Sequence, residues 1–299
     1  MKTFEKTALA SCKNKKVVLK CSVMKVNERE SNMNNSLFKK TVRIVKKASR
    51  IMIGVDFSIT EKDSPVNIVT SADTAVQAYL QKHLTAILPG SAFLGEEEPN
   101  KKQSCEFLWV VDPIDGTTNF ARGISDCAIS VALLKNGEAV LGVVYSPRSK
   151  ELFTAQKGKG ARLNGKPISV SKKSFSQSLF CTAFSLYQKE YGNACISLLS
   201  DVYGECNDFR RFGACSMELC YLAAGRCDLY FEVRLFPWDY AAGILILREA
   251  GGFASALGGS EIPYDSISPI IAANTRENFE HLKEKVSQYI PEITYDTEL

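Results

Sequence analysis

The stretch over residues 109–120 constrains the fold of this 299-residue chain more than any other. Its apolar beginning predicts a buried strand that ends on Asp112, and Asp115 is followed by Gly-Thr-Thr-Asn, which is typical of a turn and a helix start. Pro113 fixes one backbone angle between the two acids and removes a hydrogen-bond donor. The segment is therefore stiff enough to direct both carboxylates and the Ile114 carbonyl towards one point.

Oxygen ligands at close quarters suit Mg²⁺, which is typically held by one or two carboxylates together with substrate phosphate. The amides of Gly116, Thr117 and Thr118 are predicted to point out of a helix N-terminus, where backbone donors and the helix dipole favour an anion. One loop would then serve both a metal and a phosphate. For an isolated Asp-x-x-Asp-Gly the simpler alternative is that Asp112 ends a strand and Asp115 caps a helix, so the rest of the chain has to decide.

The formal net charge of +4 conceals an uneven distribution. Residues 1–50 carry 14 Lys and Arg against 3 Asp and Glu, whereas residues 51–299 carry 23 against 30. The body of the protein is therefore acidic, and no basic groove for nucleic acid is indicated outside the N-terminal segment. That segment leaves nucleic-acid binding as a minor alternative.

The numbers of histidine and cysteine residues limit which side chains can carry catalysis and indicate the redox state of the cellular compartment. The two histidines, His83 and His281, both fall in helical patterns, so carboxylates rather than histidine-dependent triads are expected to carry catalysis. The ten cysteines lie in apolar stretches without a Cys-x-x-Cys motif, which predicts buried free thiols in a reducing cytoplasm. Residues 1–35 contain no apolar core long enough for a secretory signal, and we predict neither export nor a membrane span.

The patterns along the chain divide it into three parts. Residues 1–35 are basic and without periodicity, which predicts a disordered extension. Residues 36–175 show two amphipathic helices, an exposed segment over residues 60–69 that suits a hairpin, and strands joined at tight turns. This predicts an α+β subdomain that carries most of the metal ligands. Residues 176–299 alternate strands and helices, which predicts an α/β subdomain.

Five acidic residues follow apolar runs or begin helices. Each has an ordinary explanation as a helix cap or part of a surface loop when it is taken singly. Together they suit a two- or three-metal phosphoester site, because bare carboxylates repel each other and cations about 3.5–4 Å apart clamp the attacking and leaving oxygens. The five residues are Asp73, Glu96, Asp112, Asp115 and Asp239.

Motifs along residues 37–273 resemble the inositol monophosphatase family. Two of them are highly specific: Asp-Pro-Ile-Asp-Gly-Thr-Thr-Asn-Phe at residues 112–120 and Trp-Asp-x-Ala-x-Gly at residues 238–243. The weaker matches are residues 62–73, Gly-Glu-Glu at residues 95–97 and Arg-x-x-Gly at residues 210–213. The resemblance implies an α+β fold, a layered αβαβα sandwich with an N-terminal antiparallel-sheet half and a C-terminal mixed α/β half.

The resemblance also implies Mg²⁺-dependent, lithium-sensitive hydrolysis of a small phosphate monoester by a homodimer. From the cysteines, the charge distribution and the apolar patterning we expect a cytoplasmic protein with neither nucleic acid nor membrane as a partner. Metal-activated water would attack phosphorus directly, without a phosphoenzyme. The residues that resemble the metal ligands are Glu96, Asp112, Ile114, Asp115 and Asp239. Those that resemble the catalytic residues are Thr117, Asp73 and Glu96. Those that resemble the substrate ligands are Asp115, Gly116, Thr117, Gly213, Ala214, Cys215, Glu232 and Asp239.

Among the substrates of such enzymes the resemblance favours myo-inositol 1-phosphate, because nucleotide-hydrolysing relatives tend to carry Lys where Thr118 stands. The alternatives are phosphatases of 3′-phosphoadenosine 5′-phosphate, fructose 1,6-bisphosphate or histidinol phosphate, and a non-catalytic binding protein that keeps the fold. The sequence departs from the family pattern at residues 125–127, at Cys215 and at Arg234. These departures concern the substrate rather than the chemistry.

Overall fold

A computed structural model describes residues 35–54, 57–64, 67–97, 105–184, 189–293 and 295. The chain divides into two units between Thr41 and Val42. The predicted extension over residues 1–35 lies, except for its last residue, outside the described residues, and the predicted subdomain boundary near residue 175 stays a prediction. Each helix in the described part of the chain is too short or too polar to cross a membrane.

Helices and strands both contribute to the fold, and each kind is numbered in chain order. The α-helices are α1 (residues 35–54), α2 (Ser71–Ile87), α3 (Thr117–Ala121), α4 (Gly192–Glu205), α5 (Cys215–Ala223), α6 (Pro237–Glu249) and α7 (Arg276–Tyr289). The strands are β1 (Ile59–Ser64), β2 (Asn67–Thr70), β3 (Ala92–Gly95), β4 (Phe107–Asp115), β5 (Ala128–Lys135), β6 (Glu138–Ser146), β7 (Glu151–Gln156), β8 (Ala161–Leu163), β9 (Lys166–Pro167), β10 (Leu179–Ala183), β11 (Asp208–Arg210), β12 (Leu229–Leu235), β13 (Phe253–Ser255) and β14 (Ser268–Ala273).

Strands β3 to β9 form one sheet in chain order. β3 lies parallel to β4 at one edge, and every later pair is antiparallel, so the predicted antiparallel sheet is confirmed except at that edge. The strand that was predicted to end at Asp112 continues to Asp115, with an irregular register against β5 between these two residues. Pro113 has no N–H to give to the ladder, which accounts for the irregularity.

The second sheet has the strand order β11-β10-β12-β14-β13. It is mixed, because β10 pairs in parallel with β11 and β12, whereas β14 pairs antiparallel with β12 and β13. Helices α5 and α6 share one apolar core with both sheets and lie between them. Helices α4 and α7 cover the other face of the second sheet in a separate core.

Helix α2 packs on β3 and β4 of the first sheet. Val110 of β4 faces the core that contains α5 and α6, so its neighbours Trp109 and Val111 face the opposite side of the sheet. The order of layers is helix, sheet, helix, sheet, helix. The predicted αβαβα sandwich is therefore confirmed, and so is the hairpin predicted over residues 60–69, which β1 and β2 form.

Candidate active site

The central loop, residues 112–119, begins in the last residues of β4. Asp112 turns one carboxylate oxygen back onto its own chain, where it accepts the Ile114 amide at 2.9 Å. Gly116 follows with a φ of 80°, and a Cβ at this position would lie 2.9 Å from the Asp126 carbonyl oxygen. The turn therefore requires glycine. Helix α3 begins at the next residue, which confirms the predicted helix start, although the helix has only five residues.

Thr117, which was predicted to work with Asp73, lies within hydrogen-bond distance of it. The Thr117 hydroxyl is 3.3 Å from Asp73 Oδ1 and 3.0 Å from the Ile114 carbonyl oxygen. Asp73 is held by its own helix, since its Oδ2 accepts the Thr70 amide at 2.8 Å and the Thr70 hydroxyl at 2.5 Å in a capping box. Asp73 therefore both caps α2 and directs its second oxygen at Thr117.

Asp239 and Glu96 approach the loop from two other elements. Asp239 lies in the first turn of α6, and its Oδ2 accepts the Phe236 amide at 2.8 Å. Ser130 on β5 fixes the same helix start by donating to the Trp238 carbonyl at 3.1 Å. Glu96 directly follows β3, and its amide continues the ladder to β4 with a hydrogen bond of 3.3 Å. Strand pairing and helix capping thus bring both acids to the end of β4.

Asp115 is held by a residue that the sequence did not indicate. Its Oδ2 accepts both the amide of Ser216, at 2.7 Å, and the Ser216 hydroxyl, at 2.5 Å. Ser216 lies in the first turn of α5, 101 residues away along the chain. Asp115 therefore does not cap α3, as the simpler alternative supposed, but joins the central loop to α5.

The acids share one electrostatic environment. Burial raises the pKa of Asp112 well above its usual range, and the negative charges of Glu96, Asp115, Asp239 and Asp73 raise it further. The pKa of Asp239 is raised well above its usual range by burial and then by the charges of Glu96 and Asp115. Burial also raises the pKa of Asp115 to about 6, although the hydrogen bonds from Ser216 oppose the shift. The five acids predicted from the sequence therefore lie close enough to repel one another.

These side chains suit a hard divalent cation. The donors are all oxygen atoms, and Asp112, Asp115 and Asp239 each use a hydrogen bond from a backbone amide to fix the orientation of the carboxylate. In the described part of the chain, no three or more His, Cys, Asp or Glu side chains stand close enough to complete a metal cage. The carboxylates are thus neighbours without being closed around one point. A cation such as Mg²⁺ would neutralise the charge that now raises their pKa values.

The predicted substrate-binding edge at residues 213–215 lies directly against the central loop. A Cβ at Gly116 would lie 3.0 Å from Ala214 Cβ and 3.2 Å from the Gly213 carbonyl oxygen. Cys215 is the first residue of α5, and its side chain is buried. The structure therefore places residues 213–214 beside Gly116, and their role in substrate binding stays a prediction.

Glu232 on β12 is half-buried, and its Oε2 accepts the Tyr230 hydroxyl at 2.8 Å. Burial, followed by the negative charge of Glu218, raises the pKa of Glu232 to about 8. Glu232 is therefore a carboxyl group that can hold a proton near neutral pH.

Two of the departures from the family pattern, at residues 125–127 and at Arg234, have structural explanations. Asp126 accepts the Tyr221 hydroxyl at 2.8 Å, and the neighbouring Cys127 is buried. The guanidinium of Arg234 lies 4.8 Å from the centre of the Phe236 ring, and that ring stacks on Trp238 with 4.8 Å between centroids. A cation and two aromatic rings therefore brace the start of α6, which carries Asp239.

Comparison with known proteins decides the family. The chain matches the inositol monophosphatase family over residues 27–291. The chain belongs to this family. A relative from Vibrio cholerae serotype O1 named Nus factor SuhB is 39% identical over 222 residues, which cover 73% of this chain and 81% of the relative. An inositol-1-monophosphatase from Rhizobium meliloti is 38% identical over 230 residues, which cover 76% of this chain and 85% of the relative.

A solved structure agrees with the fold. The extragenic suppressor protein suhB from Bartonella henselae superposes with a TM-score of 0.77 at 32% identity, over 85% of this chain and 100% of that one. The inositol monophosphatase family is a Mg²⁺-dependent phosphatase family, so the predicted cofactor is confirmed along with the predicted family and fold.

We predict that the metal-free protein loses stability as the pH rises. The pKa of Asp115 is about 6 and that of Glu232 about 8 in the folded state, both raised by burial. The stabilising contribution of these two carboxyl groups is fully present below the pKa that they have in the unfolded chain, near 4. It is lost as the pH rises through about 6 for Asp115 and through about 8 for Glu232. We expect calorimetry without metal to show a melting temperature that falls by several degrees between pH 5 and 8.5.

The same scan with Mg²⁺ is the control. A cation that binds only the folded state favours the ionised carboxylates, so the downward slope with pH is expected to become smaller. A metal-free melting temperature that rises steadily over this range would contradict the described arrangement of the acids.

Proposed function

We propose that this member of the family hydrolyses myo-inositol 1-phosphate to inositol and phosphate, by direct attack of water and with Mg²⁺ as the cofactor. The observation that carries the proposal is the Thr117–Asp73 hydrogen bond beside a set of mutually repelling carboxylates. Family membership supports the phosphatase class, and the name of the Rhizobium meliloti relative supports the substrate.

The proposed metal ligands are oxygen donors at the end of β4 and around it. When bound, Mg²⁺ supplies positive charge that offsets the charge of the phosphate and makes water a better nucleophile. The orientation of the carboxylates by backbone amides supports this role, because a prearranged ligand loses less freedom on binding. The proposed ligands are Glu96, Asp112, Asp115, Asp239 and the Ile114 carbonyl.

Thr117 and Asp73 are proposed to position the attacking water. The Thr117 hydroxyl has a single proton, so when it donates to Asp73 Oδ1 its own oxygen can accept a proton from water. As the water loses its proton to the Thr117 oxygen, the Thr117 proton passes to the Asp73 carboxylate, so Thr117 stays neutral and Asp73 is the final proton acceptor. Glu96 is proposed to assist as the third catalytic residue, by holding a further cation.

The two halves of the substrate are proposed to bind on different sides of Gly116. The amides of Gly116 and Thr117 suit phosphate oxygens, because they lie at the start of α3. Glu232 suits a polyol, because a carboxyl group with a pKa of about 8 can donate or accept a hydrogen bond near neutral pH. The complete set proposed for the substrate is Asp115, Gly116, Thr117, Gly213, Ala214, Cys215, Glu232 and Asp239.

We also propose that the enzyme is a cytoplasmic homodimer inhibited by Li⁺. The described cysteines are free thiols, and most of them are buried, which supports a reducing compartment. The dimer and the lithium sensitivity rest on the family resemblance. Light scattering and a Li⁺ titration of phosphate release test them.

The name of the Vibrio cholerae relative favours a second proposal, that the chain acts by binding another macromolecule. The relative is called a Nus factor, and residues 1–50 of this chain are strongly basic. Deleting residues 1–32 separates the two proposals, because catalysis should survive while salt-sensitive binding to an acidic partner should disappear.

The test of the main proposal is phosphate release by the full chain, with Mg²⁺ and with a chelator. The substrates are inositol 1-phosphate, fructose 1,6-bisphosphate, 3′-phosphoadenosine 5′-phosphate and histidinol phosphate. We expect Mg²⁺-dependent release with the highest kcat/KM for inositol 1-phosphate. A preference for another ester would replace the substrate and keep the reaction, and no release from any ester would favour the binding protein.

A further inference from the structure

Glu218 on α5 is a carboxylate that the proposed reaction does not use. Its side chain is fully buried, and its Oε1 accepts two consecutive backbone amides, those of Phe212 at 2.6 Å and Gly213 at 3.1 Å. Its Oε2 has no hydrogen-bond partner in the described part of the chain. A buried carboxylate is costly, so what it gains must come largely from the two amides that it holds.

The turn that Glu218 holds is also fixed from its other side. The Asn119 side-chain amide donates to the Phe212 carbonyl at 2.6 Å and to the Asp126 carbonyl at 2.7 Å. The Phe212 N–H is therefore bound by Glu218 of α5, and the Phe212 C=O is bound by Asn119. A peptide held from both sides has little freedom to shift.

The same turn leads into the edge where the substrate is proposed to bind. Gly213 has a φ of 79°, and the next residue, Ala214, precedes the first turn of α5. The Gly213 carbonyl and the Ala214 side chain lie against Gly116, within about van der Waals distance of where its Cβ would be. A displacement of the turn would therefore move this edge relative to the phosphate-binding loop.

We propose that Glu218 is a positioning residue for substrate binding: by holding the amides of Phe212 and Gly213, it places the Gly213–Ala214 edge against which the alcohol half of the substrate binds. This inference rests on the proposed function for the location of the alcohol half. Glu218 acts through the turn and does not touch the substrate.

Three substitutions of Glu218 show whether the length of its side chain or its charge is what matters. Glu218→Met keeps the length of the side chain and removes the acceptor, and we expect it to raise KM for inositol 1-phosphate about tenfold with kcat changed less than about twofold. Glu218→Gln keeps an oxygen that can accept both amides, so its KM is expected within about threefold of wild type. Glu218→Asp keeps the charge but is one methylene shorter, and should behave like Met. If Met fails to fold, the comparison of Gln with Asp decides.

Glu249 provides a matched control. It accepts the amides of Gly158 and Gly160, each at 2.7 Å, and so holds a turn in the same way outside the site. Glu249→Met is expected to lower the melting temperature and leave KM unchanged. If Glu218→Met also lowers only the melting temperature, or if Gln is as impaired as Met, the positioning role is wrong.

Amide hydrogen exchange tests the positioning role of Glu218 without using a substrate. The amides of Phe212 and Gly213 are expected to exchange several-fold faster in Glu218→Met than in wild type, and at the wild-type rate in Glu218→Gln. If the wild-type protein hydrolyses a different ester, the proposed substrate is wrong. The KM values of the Glu218 variants and of wild type are then compared with that ester, and this comparison still tests the positioning role. If wild type hydrolyses none, the proposed function fails, and unchanged exchange in Glu218→Met would overturn the inference as well.

Discussion

Replacing Asp112 by Asn is expected to abolish turnover while leaving the fold intact. The charges of the four other acids all raise the pKa of Asp112, and the family resemblance assigns it to two cations at once. Losing several kcal/mol of charge stabilisation lowers kcat by about a thousandfold or more. Asn keeps the oxygen that accepts the Ile114 amide at 2.9 Å, so the local turn survives. Phosphate release and Mg²⁺ titration measure the loss.

The same substitution is expected to leave the metal-free protein as stable as wild type, or more stable. It removes a buried acid whose ionised form is disfavoured by burial and by the charges of Glu96, Asp115 and Asp239. Asp228→Asn is the matched control. Asp228 is also buried, but it accepts the Ser171 hydroxyl and, at 2.8 Å, the Leu179 amide, so we expect a loss of about 1–3 kcal/mol of stability with unchanged kcat. Mg²⁺-dependent turnover by Asp112→Asn would show the ligand assignment to be wrong.

Thr117→Val should lower kcat by about 10²–10³-fold and leave KM within about threefold. Val has nearly the same shape and lacks the hydroxyl that lies 3.3 Å from Asp73 Oδ1. The carboxylates and the Ile114 carbonyl remain, so Mg²⁺ affinity is expected to stay close to that of wild type. Steady-state kinetics together with calorimetric Mg²⁺ titration measure both quantities.

Thr85→Val serves as the control for this change. The Thr85 hydroxyl donates to the Gln81 carbonyl at 2.7 Å within α2, near the end of the helix that lies away from Asp73. We expect its kcat to equal that of wild type. A Thr117→Val enzyme with full kcat would mean that another group positions the water.

The acids of the site could be predicted because each of them obeys a local rule. Asp73 and Asp239 stand at helix starts, and Asp112 follows an apolar run, so short patterns placed them at the ends of elements. The extent of β4 could not be predicted in this way. The apolar run stops at Val111, whereas the strand continues through the buried Ile114 because tertiary packing rather than periodicity holds it.

The supporting side chains could not be predicted, because their partners are distant in the chain. Ser216 binds Asp115 across 101 residues, and Asn119 binds the Phe212 carbonyl across 93. Glu218 is the one charged residue of helix α5, and the sequence offers no sign that its carboxylate faces two amides. Local patterns identify groups that carry charge, whereas only the folded chain shows what orients them.

The hydrogen bonds of Asp115 and Asn119 also bear on how a substrate enters and leaves. Both link the part of the chain before residue 175 with the part after it, and they do so within the proposed site itself. The two predicted halves cannot swing apart about a hinge near residue 175 without breaking these bonds. Opening by rigid-body rotation would separate residues of the proposed site from the side chains that hold them. These hydrogen bonds therefore favour passage of substrate and product while the two parts of the chain stay together.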